Sequence, residues 1–172
     1  MLPMLHREWV TIRTALPVIN GPLLIIQKTI FRQRIIDEAL SWVGTPYQHQ
    51  CSTKNAGCDC LGLVRGIWRK LYGSEPVTLP PYTPDWAEVG GEETLRDASD
   101  HYLDPIELTM ARPGDVLLFR MQAGVPAKHM AVLIEPDLIV HAYWGRAVTR
   151  SFLAPYWVRR RAYAYSFPNI ET

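Results

Sequence analysis

The sequence predicts an α+β domain, with helices first and a largely antiparallel sheet after them. Three observations predict it. Apolar residues recur at helical spacing over 34–43 and again over 60–72. A stretch punctuated by Pro76, Pro80, Pro81, Pro84, Pro105 and Pro113 follows, as expected of a connection over the surface. Then come five short runs rich in Val, Ile and aromatic residues, separated by turn residues: "DVLLFRM" (115–121), "HMAVLIE" (129–135), "LIVHAYW" (138–144), "RAVTRSF" (146–152) and "WVRRRAYAYSF" (157–167).

At 172 residues, with 48% hydrophobic and 20% charged residues, the chain has the size and composition of one globular domain. Its formal net charge of +1 provides no field to attract nucleic acid or an anionic membrane surface, and neither is expected as a partner. The three cysteines all lie between positions 51 and 60 and cannot all pair within the chain, so at least one thiol stays free.

Taken in order, residues 1–31 read as a weakly structured extension, with the domain proper at 32–172. The apolar run "ALPVINGPLLII" (15–26) is interrupted by Pro17, Asn20, Gly21 and Pro22, and no small-x-small cleavage pattern follows it. It is also shorter than the roughly 20 residues of a membrane span, so no stable membrane insertion is expected. From Arg34, Ile35, Ile36, Ala39, Leu40 and Val43 mark a helix that Gly44 and Pro46 end. The polar stretch "QHQCSTKNAG" (48–57) reads as an exposed turn. A second helix spans Cys60 to about Tyr72, with Leu61, Val64, Trp68 and Leu71 on one face and Gly73 as its cap. A short helix is expected near 91–102. The brief "EPD" and Gly145 connections between later runs suit hairpins.

Cys60 opens the second helix, where unpaired N–H groups and the positive end of the helix dipole favour a thiolate, the attacking form of cysteine. His129 and His141 fall in adjacent predicted strands. A hairpin turning at "EPD" leaves them offset by about three residues, so bringing them together requires a shifted hairpin or a bulge. A cysteine at a helix start, a strand histidine as base and a second polar residue orienting it form the arrangement of papain-like hydrolases.

The motifs themselves resemble a known family. "GCDCLGLVRGIWRKLYG", "RPGDVLLFR", "KHMAVLI" and "IVHAYWG" occur in the order and character of the NlpC/P60 cysteine peptidases. They are most similar to the phage cell-wall peptidase subgroup, which includes tail-associated peptidases of phages and gene transfer agents, and the likeness runs from about residue 33 to 168. It implies a papain-like NlpC/P60 fold, with Cys60 as nucleophile, His129 as base and His141 as the residue orienting that base. It implies Tyr47 and Asp59 as substrate-binding residues and no cofactor. The implied reaction is hydrolysis of peptidoglycan stem peptides, typically between γ-D-glutamate and a diamino acid. The implied setting is a particle tail, made in the cytoplasm with other tail proteins and acting in the periplasm or cell wall. One departure stands beside the nucleophile, where the family's usual serine is Leu61.

Other readings compete. A cysteine on an amphipathic helix is commonly a buried small hydrophobe, the reading that competes for Cys60, and Cys51 and Cys58 are read as structural or incidental thiols. His49, Cys51, Cys58 and Cys60 together offer four soft ligands, but their spacing suits structural zinc poorly, and no metal is expected. A tail component that keeps the fold without activity is the third alternative.

Overall fold

The computed structural model describes residues 22–83 and 91–168. Helix α1 spans Pro22–Ser41, starting at a proline suited to a first helical turn and beginning well before the expected Arg34. It therefore runs through the boundary expected at residues 31 and 32, while residues 1–21 of the expected extension lie outside the described residues. The stretch read as a turn holds a two-residue hairpin, β1 (Ser52–Thr53) with β2 (Gly57–Cys58), and leads straight into α2, Cys60–Tyr72. Gly73 caps α2 at φ 88°, a conformation glycine adopts without steric cost.

The buried stripe of α2 is rotated from the expected one. Leu63, Val64 and Ile67 are buried, whereas Leu61, Trp68 and Leu71 are only partly covered. Two glycines on the buried side explain the rotation. A Cβ on Gly66 would fall 2.0 Å from the Trp42 ring of the chain following α1, and one on Gly62 would fall 1.9 Å from the Cys51 carbonyl oxygen. The helix turns its bare side to these neighbours, and the apolar residues flanking the glycines enter the core.

Helix α3 (Thr94–Tyr102) precedes a six-stranded antiparallel sheet made of β3 (Asp104–Ile106), β4 (Val116–Arg120), β5 (Ala127–Glu135), β6 (Leu138–Ala142), β7 (Val148–Phe152) and β8 (Arg161–Ser166). Its spatial order is β3-β8-β4-β5-β6-β7. Strand β3 was not expected because it contains Pro105, and it sits at the edge of the sheet, where a missing N–H donor is tolerated. The run 157–167 was read as a single strand, but it begins inside a short helix, α4 (Pro155–Val158), with proline in its first turn. That turn aims Trp157 back at the sheet.

The sheet is covered on both faces. On one, Met130, Val132 and Val140 pack with Ile35, Leu63 and Ile67 from the helices. On the other, Phe119, Ala131, Leu133 and Ile139 pack with Trp157. Strands β4 to β6 are therefore nearly continuous runs of buried residues.

Candidate active site

Cys60 is the first residue of α2, and Asp59 is its N-cap. Asp59 Oδ1 accepts the Gly62 N–H at 2.7 Å, the usual capping bond to the third helical residue. Its Oδ2 accepts from the Gln50 backbone N–H (2.7 Å) and the Tyr82 hydroxyl (2.6 Å), and His49 Nδ1 lies 3.6 Å away. The carboxylate is buried and held from every side. Gly62 therefore has two functions: its N–H receives the cap, and its bare Cα lets the Cys51 carbonyl approach.

The Cys60 thiol meets the β5 backbone on both sides of His129. It makes a long contact of 4.0 Å with the Lys128 carbonyl oxygen, and the amides of Met130, Leu61 and Cys60 itself lie close enough to the sulfur to favour its charged form. Those amides favour a thiolate, as the helix start suggested. Burial and the neighbouring Asp59 carboxylate outweigh them and push the thiol up to about 12, so the resting group is a neutral thiol.

His129 and His141 meet through an extra residue in β5. Near the hairpin Glu135 pairs with Leu138, but further along Leu133 pairs with Ile139 and Val132 with Val140, so Ile134 is one residue in excess. Without it, His141 would sit opposite Val132, and the two histidines would point to opposite faces of the sheet. With it, the register sets His141 opposite Ala131, two residues from His129 and on the same face. The rings then join through His129 Nε2 and His141 Nδ1 at 2.8 Å. His141 Nε2 lies 2.9 Å from Ser151 Oγ on β7. Trp157 stacks on His129 at 5.5 Å between centroids and meets His141 edge-on at 5.0 Å.

Both rings are neutral near pH 7. Burial, reinforced by His141, holds His129 well below its ordinary value, and burial takes His141 down to about 4. If each neutral ring carries its proton on Nε2, the chain is satisfied throughout: His129 donates to His141, and His141 donates to Ser151. Nδ1 of His129 is then the nitrogen that can take a proton. No hydrogen bond joins the Cys60 thiol to the His129 ring; the contact is with the strand that carries it.

Tyr47, Asp59 and Cys60 line one small cavity of about 50 Å³, together with His49, Leu61 and Tyr82. Burial, with Cys60 and Asp59 nearby, raises the Tyr47 phenol to about 12, so it is a neutral hydrogen-bonding group. Its ring leans on Trp144. Ser151, Trp157 and Tyr82 were not singled out in the sequence. Ser151 had a weak signal, since alternation in β7 puts it on the face of Ile139 and His141; Trp157 and Tyr82 had none.

The four soft side chains do not assemble as metal ligands. All three cysteines are free, the buried Cys58 thiol donates to the Asp59 carbonyl at 3.3 Å, and His49 Nε2 is 2.7 Å from the Tyr82 carbonyl. Among the described residues, no group of three or more His, Cys, Asp or Glu is arranged to hold a metal ion. Among the same residues, no helix is long and apolar enough to cross a membrane.

The sequence pattern of the NlpC/P60 family matches residues 44–165, from the end of the α1 turn to β8. The chain belongs to the NlpC/P60 family. It is similar to the probable endopeptidase NlpC of Escherichia coli (strain K12), with 30% identity over 117 residues, covering 68% of this chain and 65% of that protein. It is also similar to the gamma-DL-glutamyl hydrolase of Bacillus subtilis (strain 168), with 24% identity over 137 residues, covering 79% of this chain and 29% of that protein. The chain thus spans less than two thirds of the length of either relative. Among solved structures, the NlpC/P60 domain of the peptidoglycan hydrolase SagA superposes with a TM-score of 0.54 at 22% identity, covering 79% of this chain and 98% of that one. The NlpC/P60 fold is thereby shown.

Proposed function

We propose that this protein is a cysteine endopeptidase that hydrolyses peptide bonds in bacterial peptidoglycan stem peptides, of the γ-D-glutamyl-diaminopimelate type. Family membership and the endopeptidase and γ-glutamyl hydrolase names of its relatives support the reading. The observation that carries it is the helix-start thiol of Cys60 against the strand of His129, whose far nitrogen is tied to His141 and Ser151.

The chemistry starts from a neutral thiol beside a neutral imidazole. His129 takes the Cys60 proton on Nδ1 as the sulfur attacks the amide carbonyl, so charge develops only as the reaction proceeds. The amides around Cys60 then stabilise negative charge on sulfur or on the tetrahedral oxygen. His129 returns its proton to the leaving amine, and water, deprotonated by the same ring, cleaves the thioester. His141 and Ser151 fix the His129 tautomer throughout, and Trp157 shields the pair from solvent. Tyr47 and Asp59 line the substrate side of the thiol.

A catalytically silent tail component is the second reading. The contact of the Cys60 thiol with the strand of His129 and not with its ring favours that alternative. Digestion of diaminopimelate-type peptidoglycan by the wild type and by Cys60→Ala separates the two. Stem-peptide fragments in the mass spectrum with the wild type and none with the variant are expected; folded, reduced wild type that releases nothing would overturn the enzyme reading. We further propose that the protein acts from the tail of a phage or gene-transfer-agent particle alongside other tail proteins, on the strength of the motif resemblance to that subgroup. Mass spectrometry of purified particles is expected to find it at fixed stoichiometry with tail proteins; particles lacking it would overturn this setting.

A further inference from the structure

A second, larger cavity of about 490 Å³ adjoins the Cys60 site. Its volume falls in the range of roughly 300–1,000 Å³ typical of small-molecule sites. Leu61, Leu95 and Tyr82 line both this cavity and the small one at the thiol, so the two adjoin at the residue that follows the nucleophile. Among the described residues its walls are mostly apolar: Val64 and Trp68 from α2, Ala98 from α3, Leu79 from the proline-rich segment, and Met130 from β5. Three of the polar side chains on those walls already have partners. Arg65 is paired with Glu75 at 2.7 Å, Ser99 Oγ donates to the Leu95 carbonyl at 2.7 Å, and Trp68 Nε1 donates to the Ser74 carbonyl at 3.0 Å.

The carboxylate that lines the small cavity is no more available. Both oxygens of the buried Asp59 carboxylate are engaged, Oδ1 by the helix it caps and Oδ2 by Gln50 and Tyr82. A cationic substrate group entering past Leu61 would lose its hydration and find no free carboxylate. An apolar group would leave water and displace nothing that is hydrogen-bonded.

We propose that this cavity is a subsite for an uncharged apolar part of the substrate that lies beyond the charged groups flanking the scissile bond, with Leu61 as the residue that selects it. The substrate role rests on the hydrolase reading above; the connection between cavity and thiol does not. N-alkyl iodoacetamides test that connection. In each, the Cys60 sulfur displaces iodide to form a carbon–sulfur bond, releasing iodide and a proton, while the alkyl chain samples the neighbouring space. The rate at Cys60, followed by peptide mapping to separate it from Cys51 and Cys58, is expected to rise about tenfold or more from the methyl to the hexyl reagent, within the roughly fourfold per methylene that complete burial allows.

Ala98→Trp, which fills the cavity away from the thiol, is expected to remove the dependence on chain length and leave the methyl rate unchanged. Leu79→Glu provides the same test from the opposite wall should the tryptophan disturb folding. A rate independent of chain length, or a Cys60 that reacts with none of the series, overturns the proposal. Chain-length dependence in a protein that releases nothing from peptidoglycan would leave the subsite supported and count against the hydrolase reading alone.

Discussion

At the scale of single residues, the candidate site depends on which nitrogen carries which proton. Ser151 is the acceptor that keeps the His141 proton on Nε2, leaving Nδ1 free to receive the His129 N–H. Ser151→Ala removes that acceptor and allows His141 to shift its proton to Nδ1, where it faces another donor. The expected outcome is a kcat roughly tenfold lower, a fraction of the ~10²–10⁴ that general acid–base catalysis contributes, with KM unchanged and partial rescue by Ser151→Thr. Steady-state kinetics on a soluble stem peptide measures it, and an unchanged kcat would remove Ser151 from the proton relay. Cys60, His129 and His141 were legible in the sequence because each sits in a short motif of its own. Ser151 and Trp157 were not, because a serine in an edge strand and a tryptophan after a proline acquire their roles only from the register that aims them.

At the scale of elements, two local devices position the chemistry, and one is more legible than the other. The start of α2 was readable to the residue, since a helical apolar pattern opens at Cys60 and a closing glycine ends it. The contact that seats it was not, because it depends on what Gly62 lacks. Gly62→Ala would drive a methyl into the Cys51 carbonyl, forcing apart the 48–57 turn and the helix end that carries the thiol. A loss of about 1–3 kcal/mol is expected, the usual cost of overpacking, together with a fall in kcat. Denaturant titration beside kinetics checks both, and wild-type stability would show that the turn can yield. The second device is the extra residue in β5. The sequence required a bulge or shifted hairpin to bring the histidines together, but could not locate it. Ile134 lies at the end of the unbroken apolar run 130–134, covered on both faces, where alternation carries no signal.

At the scale of the molecule, the two faces of the sheet are held in place by different polar groups, and each makes a distinct expectation. On the helix side, the fully buried Asp115 accepts from Arg32 of α1 (2.7 Å), Ser166 of β8 (3.0 Å) and the Arg112 backbone N–H (2.7 Å), joining the first helix to the centre of the sheet. Arg32→Ala strands that carboxylate. A loss of about 2–3 kcal/mol is expected, below the full cost of breaking a buried pair because Arg32 is partly exposed, and urea unfolding measures it. A smaller loss would mean that the two remaining donors suffice. On the far face, the His129–His141 pair is folded in its neutral form. The unfolded chain binds protons at these histidines near pH 6.5, whereas native His141 binds only near pH 4 and native His129 also well below its ordinary value. Between those limits the unfolded state holds more protons, so stability is whole above about pH 6.5 and falls as the pH drops toward 4. His141 alone accounts for up to about 3 kcal/mol over that interval, at ~1.4 kcal/mol per pH unit. His141→Asn keeps a polar side chain but no titrating ring, so it is expected to remove about one proton from the slope of unfolding free energy against pH between 4 and 6.5 and to leave the slope above pH 7 unchanged. Urea midpoints collected across that range provide the measurement. An acid limb as steep in the variant as in the wild type would assign the acid loss to other groups and detach the histidine pair from the stability of the fold.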